Sequence, residues 1–235
     1  MQRWLSAPLL ALLSVPAAGW PQAGADPLLS RIDHLVYATP DLQSGINRVE
    51  QLLGVRASAG GQHPGRGTRN ALVALGPGAY LEIIGPDPEQ PTPPQARPFR
   101  IDELTAPTLV AWAAKTSDPE RTARDAAQNG LTLGAVIAGS RRRTDGVLLS
   151  WRYTDPRTVV ADGLVPFFID WGATPHPAAT AAPGASLVAV RAEHPEAVRA
   201  RAKLAELGIP LEVRQGPRPT LIATIAGRRG RVELR

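Results

Sequence analysis

The 235-residue chain contains no cysteine, one methionine, two lysines and four histidines. The absence of cysteine excludes disulfide bonds, thiolate zinc sites, iron–sulfur clusters and cysteine nucleophiles. The sequence also lacks the Gly-x-Ser-x-Gly, His-Glu-x-x-His and Gly-Lys-Ser/Thr patterns of serine hydrolases, zinc proteases and phosphate-binding loops. Any chemistry that needs an imidazole must therefore use one of four residues: His34, His63, His176 and His194.

The composition is typical of a globular protein, with 43% hydrophobic and 20% charged residues. The formal net charge is +5. Basic side chains are scattered among the acids, except in two short runs at Arg141–Arg143 and Arg228–Arg229. No basic stripe accompanies an element that reads nucleic acid, so we do not expect a nucleic-acid partner.

The first 25 residues have the pattern of an export signal. Arg3 gives a basic start, Leu5–Val15 form an apolar stretch that ends at Pro16, and Ala23-Gly24-Ala25 place small residues where a signal peptidase cleaves. The apolar stretch is shorter than the roughly 20 residues that cross a membrane. The pattern predicts a periplasmic or secreted protein without a membrane span. If the segment is instead a non-functional extension, the protein would be cytoplasmic.

A similar pattern of residues occurs three times. Thr39-Pro40-Asp41, Asp118-Pro119-Glu120 and His194-Pro195-Glu196 each place a proline and an acid where a helix begins, and a glycine follows each helix. Short β-like runs precede and follow each helix. We therefore predict an α+β fold of repeated βαβββ modules, with curved mixed sheets backed by helices. The modules cover residues 31–86, 107–172 and 184–235; the first two form one domain within 26–180 and are joined by an extended, proline-rich connector.

Two segments of the first module resemble a known family. Ile32-Asp33-His34-Leu35-Val36-Tyr37-Ala38-Thr39-Pro40-Asp41-Leu42 is similar to the opening of a glyoxalase-like module of the vicinal oxygen chelate superfamily. Tyr80-Leu81-Glu82-Ile83-Ile84-Gly85 resembles the closing strand of that module, and residues 60–65 and 168–172 resemble the glyoxalase-like branch. The resemblance covers about residues 31–180. It implies a superfamily that includes isomerases, lyases, dioxygenases and metal-free binding proteins.

His34 and Glu82 are the leading candidates for a functional site. In modules of this kind the first and fourth strands are neighbours, so the resemblance implies that both side chains face one cavity and bind a divalent metal ion. An imidazole and a carboxylate suit zinc, iron, nickel or manganese. The alternative is a buried hydrogen-bonded pair that organises the sheet. His34 does not recur at the equivalent positions, Ala113 and Ala189, which favours a functional role.

The remaining metal ligands are harder to assign. The resemblance implies ligands from both modules, yet Ala113 fills the second module's first-strand position. Asp170, on the strand that corresponds to that of Glu82, is a candidate third ligand or catalytic carboxylate. His63 or His176 is a candidate fourth ligand from a loop. A site with a divalent metal ion and a metal-free site both stay open.

Two loops are expected to supply ligand-binding side chains. The glycine-rich loop at 62–70 either cradles an anion with its backbone amides or is a plain hairpin connection. The segment 170–177 brings an aromatic ring, an acid and an imidazole to a strand end. Arg141–Arg143 either attract a carboxylate or phosphate or form a solvated turn, and His194 is expected to be an exposed helix cap. The candidate ligand-binding residues are His63, Arg69, Asn70, Trp171 and His176.

Two functions follow from these patterns. The first is a glyoxalase-like enzyme of the lyase, isomerase or dioxygenase type that acts on a small, oxygenated, anionic molecule, with Glu82 and Asp170 as its catalytic carboxylates. The second is a metal-free protein that sequesters a small molecule in the same cavity. Modules of this kind work in pairs, so we expect the first two to form one cavity. The third is expected to cover a sheet edge or to mediate a homodimer.

Overall fold

The computed structural model describes residues 26–235, so the predicted signal peptide lies outside the described residues. Helix α1 (Pro27–Arg31) leads into the first module, and the second and third modules follow. The first contains β1 (Ile32–Ala38), α2 (Leu42–Leu53), β2 (Ser58–His63), β3 (Thr68–Gly76) and β4 (Ala79–Pro86). The second contains β5 (Thr108–Lys115), α3 (Pro119–Gln128), β6 (Val136–Arg142), β7 (Leu148–Thr154) and β8 (Phe167–Asp170). The third contains β9 (Ser186–His194), α4 (Ala197–Glu206), β10 (Glu212–Gln215), β11 (Thr220–Gly227) and β12 (Gly230–Leu234).

Helices α2 and α3 lie where the repeat predicts them, each with an aspartate at its start. The Asp41 carboxylate accepts a hydrogen bond from the Ser44 amide at 2.6 Å and caps α2, and Asp118 caps α3 in the same way. Gly54 ends α2 in the left-handed conformation, with φ of 68°. Each helix is therefore limited to the length that its capping residues set.

The start of α4 differs from the prediction. His194 is buried rather than exposed. Its Nδ1 accepts from the Glu196 amide at 2.9 Å, and its Nε2 lies 2.9 Å from a carboxylate oxygen of Asp162. His194 therefore does cap the turn before α4, but it also connects the third module to the barrel. Both of its ring nitrogens are occupied, so it stays outside the candidate site.

Strands β1–β8 close into a barrel in the order β1-β4-β3-β2-β6-β7-β8-β5. In each of the first two modules the first and last strands pair in parallel, and the modules join where β1 runs antiparallel to β5. His34 pairs there with Ala113, the residue that the repeat marks as its equivalent. The α+β fold of curved sheets and few helices is confirmed, and the first two modules enclose one interior.

The third module has the same element order but a different sheet. Its strand order is β10-β9-β11-β12, so β9 pairs with the strand that follows its helix rather than with the last strand. Helix α2 contacts β11 and β12. The buried side chains of the module, such as Leu204 and Ile225, belong to the same apolar cluster as those beneath α2. The third module is therefore packed onto the barrel.

The proline-rich connector is more ordered than an extended linker. Its residues Pro98–Glu103 form a 3-10 turn in which Pro98 and Ile101 are buried. Phe99 and Arg100 have φ of 61° and 53°, a left-handed conformation that costs a non-glycine residue about 1 kcal/mol or more. The prediction of an unpacked connector is therefore wrong for this turn, because it packs against one end of the barrel.

Candidate active site

The barrel encloses a cavity of about 60 Å³. Both modules contribute to the walls. The polar lining consists of His34, His63, Arg66, Thr68, Asn70, Tyr80, Glu82 and Arg141, and the larger apolar groups are Phe99, Trp151, Tyr153, Phe167 and Trp171.

Glu82 lies at the centre of the polar lining and is buried. Its Oε2 is 3.9 Å from His34 Nε2, and its Oε1 is 3.8 Å from His63 Nε2. Asn70 Nδ2 donates a hydrogen bond of 2.6 Å to Oε1. The structure therefore brings together four residues that the sequence analysis selected. Neither imidazole is close enough to Glu82 for a hydrogen bond.

His34 is fixed by its neighbours on every side. Its ring stacks on Tyr80, with ring centres 4.7 Å apart, and meets the edge of Phe167 at 5.4 Å. Its Nδ1 lies 2.7 Å from a carboxylate oxygen of Asp33. The Nε2 atom is thereby directed at Glu82 and the cavity.

Asp33 was not selected from the sequence, because strict alternation along β1 puts it on the face opposite to His34. Ile32 and His34 pair with the consecutive residues Ala114 and Ala113 of β5, so Asp33 is the extra residue of a β-bulge. Bulges re-aim side chains and are common beside active sites. The bulge therefore brings the Asp33 carboxylate to the imidazole of its sequence neighbour.

The Asp33 carboxylate also contacts the loop that follows β8. Trp171 Nε1 donates to both of its oxygens at 3.2 Å, and His176 Nε2 lies 3.1 Å from Oδ2. Burial raises the pKa of Asp33, but the hydrogen bonds from His176 and His34 outweigh it and hold the pKa well below the ordinary value. The predicted residues Trp171 and His176 are thus brought to the site through Asp33. Trp171 lines the cavity, whereas His176 lies behind it.

Arg141 is a buried positive charge of the cavity wall. It is 3% exposed, and its closest hydrogen-bond partner is the Asn70 side-chain oxygen, at 3.5 Å. Within residues 26–235 no ion pair joins it to a carboxylate. Burial lowers its pKa from the ordinary value of 12.5. Of the two interpretations of the arginine run, the anion-binding one therefore suits Arg141, whereas Arg142 is exposed.

Side chains alternate along a strand, so a predicted strand at this run would have placed Arg141 and Arg142 on opposite faces of the sheet. Strand β6 was not predicted from the sequence, because the arginine run has the composition of a polar turn. The glycine-rich segment beside it is a plain hairpin connection between β2 and β3, and it contributes side chains rather than an amide cradle. Arg66 from this hairpin lies over the ring of Tyr153, 5.5 Å from its centre.

Besides His176, two selected residues lie outside the cavity lining. Arg69 extends along the outside of β3, where its Nε lies 3.9 Å from an Asp87 oxygen. Asp170 accepts a hydrogen bond from the Gly172 amide at 2.9 Å, and neither residue is part of the cavity lining. Asp170 is therefore not positioned to act with Glu82.

The donor set does not fit a metal ion. His34 pairs with Tyr80 of β4, and Glu82 lies two positions beyond Tyr80. Ala113 pairs with Phe167 of β8, and the residue two positions beyond Phe167 is Ile169. Asp170 is one position further and so faces the opposite side of the strand. The second module thus offers Ala113 and Ile169 where the first offers His34 and Glu82. Residues 26–235 contain no group of three or more histidines and acids that could hold a metal ion.

His63 gives the folded state a pH dependence of its own. Burial, together with the positive charges of Arg141 and Arg66, lowers the pKa of His63 from 6.5 to about 4, although the Glu82 carboxylate acts in the opposite direction. The unfolded chain takes up a proton near the ordinary pKa, whereas the folded chain does so only near pH 4. We therefore expect the free energy of unfolding to fall as the pH drops through this window, by about 2 kcal/mol between pH 7 and pH 5.

Urea unfolding at pH 7, 6 and 5 measures this loss, with His63→Gln as the comparison. The variant has no titrating group at this position. Its free energy of unfolding should therefore fall by about 2 kcal/mol less than that of the wild type between pH 7 and pH 5. The paired carboxylate of Asp33 stabilises the fold above its ordinary pKa of 3.8, so its contribution to the free energy of unfolding stays constant between pH 7 and pH 5. Equal slopes in the two proteins would show that His63 does not stay neutral in the fold.

Comparison with known proteins agrees with this architecture. Residues 32–208 match the family model described as a glyoxalase-like domain. A hypothetical protein from Staphylococcus aureus superposes with a TM-score of 0.56 at 13% identity, over 86% of this chain and 83% of that one. Two methylmalonyl-CoA epimerases are more distant in structure. The enzyme from Streptomyces coelicolor, in complex with 2-nitronate-propionyl-CoA, has a TM-score of 0.42 at 21% identity, over 63% of this chain and 98% of that one. The enzyme from Mycobacterium tuberculosis has a TM-score of 0.40 at 21% identity, over 66% of this chain and 95% of that one.

No curated protein matches the sequence. None of the helices within residues 26–235 is long and apolar enough to cross a membrane. The family match spans both barrel modules and most of the chain, and the S. aureus protein has the same fold. The chain therefore belongs to the glyoxalase-like domain family of the vicinal oxygen chelate superfamily.

Proposed function

We propose that the protein is an enzyme that moves a proton on a small 2-oxo or 2-hydroxy acid, with Glu82 as the base. The observation that carries the proposal is that a carboxylate base and a buried cation line the same small cavity. Glu82 faces the Nε2 atoms of His34 and His63. Asn70 donates to Glu82 and accepts from Arg141, whose guanidinium has no ion-pair partner among the described residues.

Arg141 and Glu82 call for different groups on the ligand. A guanidinium offers up to five N–H donors and prefers a carboxylate or phosphate. The Glu82 carboxylate only accepts hydrogen bonds, and it faces two imidazole nitrogens that do not bond to it. A ligand that carries an anionic group beside a hydroxyl or acidic C–H meets both requirements. The cavity volume of about 60 Å³ suits a small molecule.

The reaction step can be written for a 2-oxo acid. Arg141 holds the carboxylate, and Glu82 removes a proton from the carbon on the far side of the carbonyl. The electron pair of the broken C–H bond forms the C=C bond of an enolate, and the carbonyl π electrons move onto its oxygen. Return of the proton from Glu82 to carbon or to oxygen completes an exchange or a tautomerisation. A positioned general base of this kind contributes about 10²- to 10⁴-fold to the rate.

Hydrogen exchange in D₂O tests the proposal without knowledge of the natural product. Pyruvate is followed by proton NMR at neutral pH with wild-type protein and with Glu82→Gln, which preserves the shape of the side chain and removes the base. We expect the wild-type protein to accelerate loss of the methyl signal and the variant to lose about 100-fold or more of that acceleration. Lactate serves as a second probe, for which binding is measured instead of hydrogen exchange.

The other possible function is sequestration of a small acid. It would be favoured if pyruvate or lactate stabilised the protein against thermal unfolding while no exchange occurred. Ligand-induced stabilisation follows from mass action and does not require turnover. If no small oxo or hydroxy acid stabilised the protein or exchanged its hydrogens, that result would contradict both functions.

A further inference from the structure

Asp33 receives hydrogen-bond donors from three parts of the barrel and is not itself part of the cavity lining. Its side chain is 1% exposed, and its oxygens are contacted by His34 from β1, Trp171 from the end of β8, and His176 from the loop beyond. An ionised carboxylate can only accept hydrogen bonds. Each of the three neighbours must therefore present a hydrogen to it.

This requirement fixes the protonation of both imidazoles. His34 contacts Asp33 through Nδ1, so Nδ1 carries the hydrogen and a neutral ring leaves Nε2 bare. His176 contacts Asp33 through Nε2, and its Nδ1 accepts from the Ala178 amide at 3.2 Å. The two rings therefore hold opposite tautomers around one carboxylate. The bare Nε2 of His34 is the atom that faces Glu82 and the cavity.

We propose that Asp33 is a positioning residue that holds His34 in the tautomer presenting an unprotonated Nε2 to the cavity and fastens Trp171 beside it. The β-bulge in β1 is the structural device that makes this possible. In a neutral ring the hydrogen bond made by one nitrogen decides which state the other nitrogen presents. His34 is thereby a proton acceptor next to Glu82, able to take the hydroxyl hydrogen of a bound acid. The catalytic meaning of this arrangement rests on the proposed function, whereas the tautomer itself does not.

Nitrogen-15 NMR of the histidine rings at pH 8, where an ordinary imidazole is neutral, measures the tautomers directly. The ring signals of each histidine are assigned from the His→Gln variants, because each variant lacks the signals of the residue that it replaces. In wild-type protein we expect the Nδ1–H form for His34 and the Nε2–H form for His176. A wild-type His34 in the Nε2–H form would overturn the proposal, whether or not any variant folds.

Asp33→Asn supplies the second arm, because its side chain keeps the shape, loses one acceptor and gains an N–H₂ donor. The carboxamide cannot accept from all three neighbours, so we expect the tautomer of His34 or His176 to invert and pyruvate exchange to fall about 10- to 100-fold. Asp170→Asn is the matched control, since within residues 26–235 that carboxylate bonds only the Gly172 amide, and it should change neither readout.

A purely structural role for Asp33 predicts a less stable Asp33→Asn protein whose tautomers are unchanged, and that result overturns the proposal. Exchange at the wild-type rate in a variant with an inverted tautomer also overturns it. If wild-type protein does not exchange pyruvate at all, the proposed function fails, while the tautomer measurements still decide the role of Asp33.

Discussion

Replacing Arg141 with methionine should abolish binding of small acids while leaving the protein at least as stable as the wild type. Arg141 is buried with no ion-pair partner among the described residues, and the Glu82 carboxylate reaches it only through Asn70, so an anion in the cavity would be its direct partner. Removing one partner of a buried, hydrogen-bonded charge pair costs about 2 to 5 kcal/mol, which corresponds to a loss of affinity of roughly 30-fold to several thousand-fold. Methionine fills a similar volume without the charge, so the variant avoids the cost of burying an unpaired guanidinium.

The measurements are the dissociation constants of pyruvate and lactate by calorimetry and the free energy of unfolding in urea. Arg142→Met is the matched control, because Arg142 is the next residue of β6 and its guanidinium bonds the Gly146 carbonyl at the surface. The control should bind both acids as the wild type does. If Arg141→Met binds them normally, or loses several kcal/mol of stability, Arg141 is a structural residue and the anion is held elsewhere.

The second large effect concerns His34 and Glu82 together. Their facing atoms are 3.9 Å apart, too far for a hydrogen bond, and each has its own partner: Asp33 for His34 and Asn70 for Glu82. We therefore expect either substitution, His34→Gln or Glu82→Gln, to remove the stabilisation that pyruvate gives against thermal unfolding. The coupling energy for stability in the double-mutant cycle should stay below about 1 kcal/mol. A buried ion pair with a structural function would instead cost about 3 to 5 kcal/mol when one member is removed.

Thermal unfolding with and without pyruvate, on both single variants and the double variant, distinguishes these cases. His194→Gln is the control, since His194 is a buried histidine that bonds an acid outside the cavity; it should lose stability and keep the response to pyruvate. Unstable single variants, a recovered double variant and a surviving ligand response would show that the pair only organises the sheet.

The sequence alone predicted the elements that depend on local chemistry. Capping acids, prolines and terminal glycines act within one helical turn, so they marked the helix of each module and the repeat itself. The repeat in turn identified Ala113 as the equivalent of His34, and the barrel pairs these two residues directly. Alternation along β1 and β4, together with the strand order that the resemblance implies, predicted that His34 and Glu82 share one interior.

Features that depend on register and long-range pairing were decided only by the tertiary structure. A single extra residue in β1 turned Asp33 toward His34, and a one-residue offset in β8 put Ile169 rather than Asp170 in the cavity. Arg141 became a buried cation because β6 closes the barrel between β2 and β7, which no local pattern in its arginine run indicates. Side chains in strands alternate with a period of two, so an offset of one residue exchanges the inside for the outside. That offset is set by the partner strand, far away in the sequence.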